Sequence, residues 1–489
     1  ASGSWSSVVA GRFNTTSAEC SFIGGGGRNI VSGAKSSVVG GTLNTASTAC
    51  SFIGGGQNNK VIATNPSIIG GGSNNIIEGS GFAFIGGGQS NSISGYYYNV
   101  IVGGLDNKNL GYNSFIGGGV SNTDSGYCNS IVGGFKNTSS GNCGFIGGGS
   151  CNTNSGYYGS IVGGTGNSNL GNYSSIVGGI LNTASNDFSF IGGGESNQTT
   201  QLNSSVVGGT LNTASGACSF IGGGSGNSNL GNESSISSGF KNYVSGNQSS
   251  VVGGVLNSAS AFSSFVGGGC KNQACASHSS VVGGTKNTAS GACSFIGGGE
   301  NNKTFSQAYV GFIGGGANNN TSGQCSFIGG GSSNYIAGSN ADSVIVGGSS
   351  NCIFDALSNS FIGAGTSNTI SSYSDTSFIG GGSSNTISDS TQRTSIVGGT
   401  LNTASASCSF IGGGKSNNIL STHTNSFIVG SDIISHAACT THVNNLTVSG
   451  SAAGTSVVMM RGLPTTDPSV LGQLWMDPAA SYALKVSQG

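Results

Sequence analysis

The sequence predicts an all-β protein, a parallel β-solenoid (a β-roll) of about 15-residue coils, intertwined as a homotrimer. Three observations predict it: a strict internal repeat, an aliphatic residue at one fixed place in every repeat, and a composition unsuited to helix or disorder. Two phrases alternate along the 489 residues, Ser-Val-Val-Gly-Gly-x-x-Asn (Ser37 to Asn44) and Ser-Phe-Ile-Gly-Gly-Gly-x-x-Asn (Ser51 to Asn59). Anchoring each on its Asn gives 27 units, through Asn14, Asn29, Asn44 and Asn59 to Asn417. Thirteen successive steps, by way of Asn107, Asn122, Asn137 and Asn152 to Asn302, are 15 residues each, and the longer steps are 16 or 17. A fixed period of this kind marks stacked identical units.

Within a unit, the residue six places before the anchor is Ile or Val in all 27 cases, as in Val8, Ile23, Val38, Ile53, Ile236 and Ile411. Apolar spacing lacks a 3.6 period, and Gly, 94 of 489 residues, disfavours helix interiors. β-Branched and aromatic residues around the aliphatic position suit a strand. Each coil therefore reads as a short apolar strand, a Gly turn, an Asn corner and a second, polar strand. Coils stacked at ~4.8 Å make a rod on the order of 130 Å long.

The positions seven and five before the anchor flank the aliphatic residue and face the other way. In most coils they hold either Phe with Gly (Phe52, Gly54) or Ser with an aliphatic (Ser37, Val39), so a bulky side chain in one coil sits beside a small one in the next. Both faces of this strand are thus apolar, as in a strand buried on both sides. A two-strand coil has one interior of its own, so the second face calls for another copy of the chain, most simply in a closed three-chain bundle.

Composition excludes several functions. Charged residues are 6% of the chain and the formal net charge is −1, so the basic field that holds nucleic acid is missing. A hydrophobic content of 35% with 23 Phe argues against disorder, and Gly does not recur at every third residue, which excludes collagen. No apolar run is long enough for a membrane helix, and no secretion signal opens the chain. Acidic residues such as Glu195, Glu233 and Glu300 lie on separate coils, and four His leave little for a hydrolase triad. No enzyme and no cofactor are expected.

Phrases such as Ser160 to Gly164 (Ser-Ile-Val-Gly-Gly) and Ser294 to Gly299 (Ser-Phe-Ile-Gly-Gly-Gly), repeated over roughly residues 5–430, resemble the head repeats of trimeric autotransporter adhesins. Similar repeats occur in phage and large-virus fibre proteins. The resemblance implies left-handed parallel β-rolls, three chains around one axis, on an extracellular or virion surface. The Gly runs and the unbroken Asn series are heavier than in those heads, and neither a heptad stalk nor an anchor barrel follows.

The composition changes near the end. Residues 1–435 read as a shaft of about 27–28 coils and residues 436–489 as a C-terminal capping or assembly module. That module holds Met459, Met460 and Met476, Pro464, Pro468 and Pro478, and Trp475. The stretch from Arg461 to Trp475 resembles a terminal module of viral and phage structural proteins, with aromatic and Met anchors to cover the last strand edge. The first coil begins almost at once, at Val8, so that end is capped by another chain, joined to a further segment or open to head-to-tail assembly.

Four groups of residues are candidate sites. The anchor Asn residues form a structural ladder, since Asn tolerates the left-handed region and bonds its own backbone in turns. Eight of the 13 Cys, including Cys20, Cys50, Cys128, Cys143 and Cys408, stand nine residues before an anchor; they read as buried thiols on the Phe-bearing face, with bridges between chains as the alternative. Only Cys128 and Cys143 lie on successive coils, within reach of one disulfide. His436, Cys439 and His442, and Cys270, Cys275 and His278, have metal-like spacing but sit poorly for ligation on a strand, and no metal is expected.

The fourth group exceeds background. Tyr96, Tyr97, Tyr98, Tyr112, Tyr127, Tyr157, Tyr158 and Tyr173 fall five to seven residues after their anchors and stack along one corner. They are a candidate glycan-binding row, set against a plain structural ladder packed on a neighbouring chain. The expected function is a structural fibre or adhesin shaft, whose partners are its own copies and a cell-surface glycan. The alternatives are an ice-binding surface of Thr such as Thr45, Thr183, Thr213 and Thr403, or a polysaccharide-degrading enzyme.

Overall fold

Two parallel sheets run the length of the chain. In the computed structural model, residues 1–79, 81–338, 342–354, 359–445, 465–467, 474–477, 479, 483–486 and 488 are described. The first sheet stacks 29 strands, from Ser7–Val8 to Thr441–Val443, and the second stacks 27, from Thr15–Thr16 to Asn418–Ile419. Pairing is strictly coil on coil and in register: Phe52 lies on Ser37 and Ile53 on Val38, while Thr45 lies on Ile30 and Ala46 on Val31. A third line of bridges, through Arg12, Gly27, Thr42 and Gln57, joins successive coils between the two sheets. The fold is the all-β parallel β-solenoid with coils of about 15 residues.

The core is a thin stack of side chains between the sheets. The aliphatic row of the first sheet is fully buried from Ile23 to Ile428. Opposite it lies a second buried row, two residues after each anchor, which is aliphatic at Val31, Ala46, Val61 and Ile77, polar from Asn109 through Asp124, Ser139, Asn154 and Asn169, mixed from Ala184 to Thr321, and mostly Ile from Ile336 onward. Coil length follows this row. The spacing from aliphatic residue to anchor never changes, so every extra residue enters the corner after the second strand. Ile occurs in the second row only in longer coils. Ile77 and Ile93 sit in coils where Ile69 pairs with Ile85 and Ile85 with Ile101, and Ile336 sits where Ile328 pairs with Ile345. A wider corner makes room for the larger side chain.

The Gly-Gly-x-x-Asn phrase closes the other corner. Gly56 has φ of +91°, and a Cβ there would stand 2.0 Å from the Gly72 carbonyl oxygen and 2.8 Å from Asn59 Nδ2. Only Gly fits. Residues just before the anchors, such as Leu43 and Asn58, are also left-handed, and so are those that open the next coil, such as Lys35 and Cys50. A left-handed L-residue costs roughly 1–2 kcal/mol. The strained corners are held by interstrand bonds, for example Asn58 N–H to the Thr42 carbonyl at 2.9 Å and Cys50 N–H to that of Ala34 at 2.8 Å.

The first sheet continues beyond residue 435 through Thr441–Val443, which pairs with Phe427–Val429. A separate antiparallel pair joins Leu474–Asp477 to Ala483–Val486. Met459, Met460, Pro464, Pro468 and Pro478, expected to help cap the last coil, lie outside the described residues, as does the Trp475 side chain. Among the described residues no helix is long and apolar enough to cross a membrane.

Candidate functional site

The anchor asparagines lie inside the shaft. From Asn29 to Asn417 they are essentially inaccessible to solvent, and Asn14, in the first coil, is half-buried. Asn44 Nδ2 donates to the Gly40 carbonyl at 3.0 Å in its own turn and to the Gly56 carbonyl at 2.9 Å in the next, while its Oδ1 accepts the Asn59 N–H at 3.0 Å. The same three bonds recur at Asn29 and Asn59, and at Asn107, Asn122, Asn137 and Asn152. The left-handed conformation expected of Asn belongs instead to the residue before it, because the anchor must turn its amide inward to reach two glycine carbonyls.

The cysteines overturn the expectation of buried thiols. Cys20, Cys50, Cys128, Cys218, Cys293 and Cys325 are exposed, and Cys143 and Cys408 are half-exposed. All eight stand in the left-handed corner that precedes the first-sheet strand, with φ near +55°, and not on the Phe-bearing strand face. The corner turns the side chain outward at the residue where strand alternation alone would carry it onto the sheet. Every Cys is a free thiol, Cys128 and Cys143 included.

The variable corner carries the tyrosines in two groups. Tyr112 stacks on Tyr127 with ring centres 5.0 Å apart, and Tyr97 meets Tyr112 edge-on at 6.1 Å beside Tyr96 and Tyr98. Tyr158 stacks on Tyr173 at 5.4 Å, and Tyr157 meets both edge-on. Asn142 and Cys143 occupy the coil between the groups. Phe82, stacked on Tyr98, and Phe188, stacked on Tyr173, extend the two rows. Sequence reasoning missed both, although each shares the register of Tyr98 and Tyr173 relative to the following anchor. Most of these rings are about half exposed, and Tyr96 is 70% exposed.

A shallow groove of about 240 Å³ is lined by Tyr96, Tyr112 and Tyr127, with Gly111, Gly126 and Asn142 among the remaining wall residues. Hydrogen bonding with Tyr157 and with the Cys143 thiol pushes Tyr158 up to about 12, and the neighbouring Cys128 raises Tyr127. Directly behind the groove lies Asp124, whose Oδ1 accepts the Gly126 N–H at 3.1 Å. Burial pushes this carboxyl up to about 7, against the lowering effect of bonds from Gly126, Asn129 and Ser114. Rings, hydroxyls and small backbone-lined gaps in alternation suit a sugar chain lying flat across the coils.

Among the described residues, no three His, Cys, Asp or Glu side chains group to hold a metal. His436 and His442 lie 5.9 Å apart ring to ring, and His442 Nε2 is 2.7 Å from Thr440 Oγ1. Burial, with His436 adding to it, lowers the His442 pKa. Cys270 is half-exposed and Cys275 exposed, and the His278 ring packs edge-on against Phe262. Thr45, Thr183, Thr213 and Thr403 begin second-sheet strands, where Lys60, Lys108 and Tyr243 interrupt the row. No protein-family model matches the chain, and a search of curated proteins finds no match either.

Proposed function

We propose that the chain is the shaft of a non-catalytic structural fibre or adhesin, extracellular or virion-borne, in which three copies wind around one axis. The observation that carries this reading is the difference between the two outer faces. The first sheet turns outward a band of Phe and Val, interrupted in the coil of Ser235 and Ser237, with Phe52 39% and Val132 50% exposed in the single chain, while the second sheet turns outward mainly Thr, Ser, Asn and Lys. An apolar band running the length of the shaft far exceeds the patches that monomeric proteins leave in water. At the glycine corner Leu43, Leu181, Leu211, Leu256 and Leu401 stand exposed singly, among polar residues such as Asn58, Lys136 and Lys286. The resemblance to trimeric adhesin heads and viral fibre repeats supports the same arrangement.

The tyrosine groove supports a second element of this reading, recognition of a surface glycan along the variable corner. That corner takes up every insertion, and in repeat proteins the face that accepts insertions is often the binding face.

Electron microscopy with sedimentation mass measurement tests the assembly. The expected result is a rod roughly 130 Å long with the mass of three chains. A monodisperse single-chain rod at micromolar concentration would overturn it. Glycan-array binding lost in Tyr112→Ala and Tyr127→Ala supports the glycan assignment, and binding unchanged by them removes it.

A further inference from the structure

The variable corner is uncharged over the six coils anchored on Asn91, Asn107, Asn122, Asn137, Asn152 and Asn167. Its residues 94–98, 110–113, 125–128, 140–143, 155–158 and 170–173 are Ser, Leu, Gly, Tyr, Asn and Cys alone. Elsewhere the same corner carries charge, as at Glu19, Lys35, Asp187 and Glu233. The second strands that adjoin the uncharged strip bring two charges. Lys108 pairs with Asp106 at 3.9 Å, and Asp124 is buried behind the groove with its Oδ1 already bonded to the Gly126 N–H and the Asn129 amide.

Both tyrosine groups lie on this strip, which runs about 24 Å from Tyr97 to Tyr173 at one coil per ~4.8 Å. The groove at Tyr112 and Tyr127 does not end with the first group, since Ser140 and Asn142 of the intervening coil also line it. The backbone on either side of that coil is held alike: Asn142 Oδ1 accepts the Tyr127 N–H at 3.2 Å, and Asn172 Oδ1 accepts the Tyr157 N–H at 2.9 Å. Tyr127 and Tyr157 stand two coils apart, ~9.6 Å, farther than a single sugar ring reaches.

Resting on the glycan reading of the groove, we infer that the strip takes an uncharged polysaccharide laid along the rod axis and touching both tyrosine groups at once. An acidic sugar is held by charge-assisted bonds from Arg or Lys, and an amino sugar by a carboxylate; the strip offers neither. Phenol rings, amides and hydroxyls match the apolar faces and neutral hydroxyls of an uncharged sugar. A disaccharide covers one group. A chain long enough to cross the intervening coil makes the second contact intramolecular, which raises affinity by about 100-fold or more.

Binding of the full chain to cellulose, chitin, mannan and xylan, beside hyaluronan, heparin and polysialic acid, tests the charge class; a length series cut from the bound polymer then tests the span. Expected is retention by a neutral polymer, with affinity about 100-fold above that for its disaccharide. Tyr157→Ala, Tyr158→Ala and Tyr173→Ala together should bring the polymer down to the disaccharide level and leave the disaccharide unchanged. Binding confined to the anionic polymers overturns the inference while the glycan reading stands, and so does equal affinity for polymer and disaccharide. Failure of every probe, on this panel and on the glycan array, removes the glycan reading and this inference together. The length series on the unaltered chain decides the span even if the triple variant does not fold.

Discussion

Asn137 Oδ1 accepts the backbone N–H of Asn152 at 3.0 Å, so each anchor holds the next coil at its own height. The Asn137 amide also donates to Gly133 at 2.9 Å and to Gly149 at 3.1 Å, which ties its own turn to the next one. Asn137→Ala leaves the buried Asn152 N–H and the Gly133 carbonyl without their partner, while the Gly149 carbonyl keeps the Phe135 N–H. With an unsatisfied group costing ~1–3 kcal/mol, the local loss is on the order of 2–5 kcal/mol. Amide hydrogen exchange should show Asn152 and its neighbours opening first, with distant coils little changed.

Adjacent glycines of one turn differ in what they tolerate. Gly56→Ala drives a Cβ into the Gly72 carbonyl in a left-handed conformation, whereas a Cβ at Gly55 meets nothing within 4 Å. Thermal unfolding should therefore show Gly56→Ala strongly destabilised, by several kcal/mol, and Gly55→Ala close to wild type.

Phe295, Phe312 and Phe327 stack ring on ring at 5.0 and 4.9 Å on the outer face of the first sheet. Each ring also leans over a glycine of its own coil, so the large-and-small pairing operates within a coil as well as between coils: Phe52 Cε1 lies 3.4 Å from the place a Cβ on Gly54 would take. Replacing all three with Ser should keep the β-rich circular dichroism spectrum. It should lower the assembled fraction in sedimentation, because the loss falls on the face left for other copies.

Asp124 gives the shaft a pH dependence. Its folded pKa, about 7, is above that of the unfolded chain, so between about pH 4 and pH 7 the folded state binds more protons. Stability should be highest below this window and fall as pH rises through it, by at most ~1.4 kcal/mol per pH unit, then level off. Asp124→Asn should flatten the slope in denaturant titrations at pH 4, 5.5 and 7.5.

The corner thiols should react without denaturant. Cys20, Cys50, Cys128, Cys218 and Cys293 are exposed, while partial burial raises the half-exposed Cys352 above its ordinary value. Mass spectrometry after a short maleimide pulse should find the first group labelled ahead of Cys352. Equal labelling of all thiols only after unfolding would contradict the corner geometry.

Period, strand position and inward aliphatic row were all legible in the sequence, because each is a one-dimensional pattern that stacking copies directly. Ile53 and Phe52 alternate, and alternation alone sends them to opposite faces. The two groups of stacked tyrosines were legible as one row, but their separation at Asn142 and Cys143 was not. Corner conformation was also beyond the sequence. Leu43, Lys35, Cys50 and Tyr98 share a left-handed backbone that no side-chain property announces, and the neighbouring coils impose it through hydrogen bonds. The same holds inside the shaft. Sequence spacing identifies Asn137 as a repeated residue, but only the fold turns its amide toward Gly133 and Gly149. Repetition along the chain determines which residues stack; the closure of each coil determines which of them face one another.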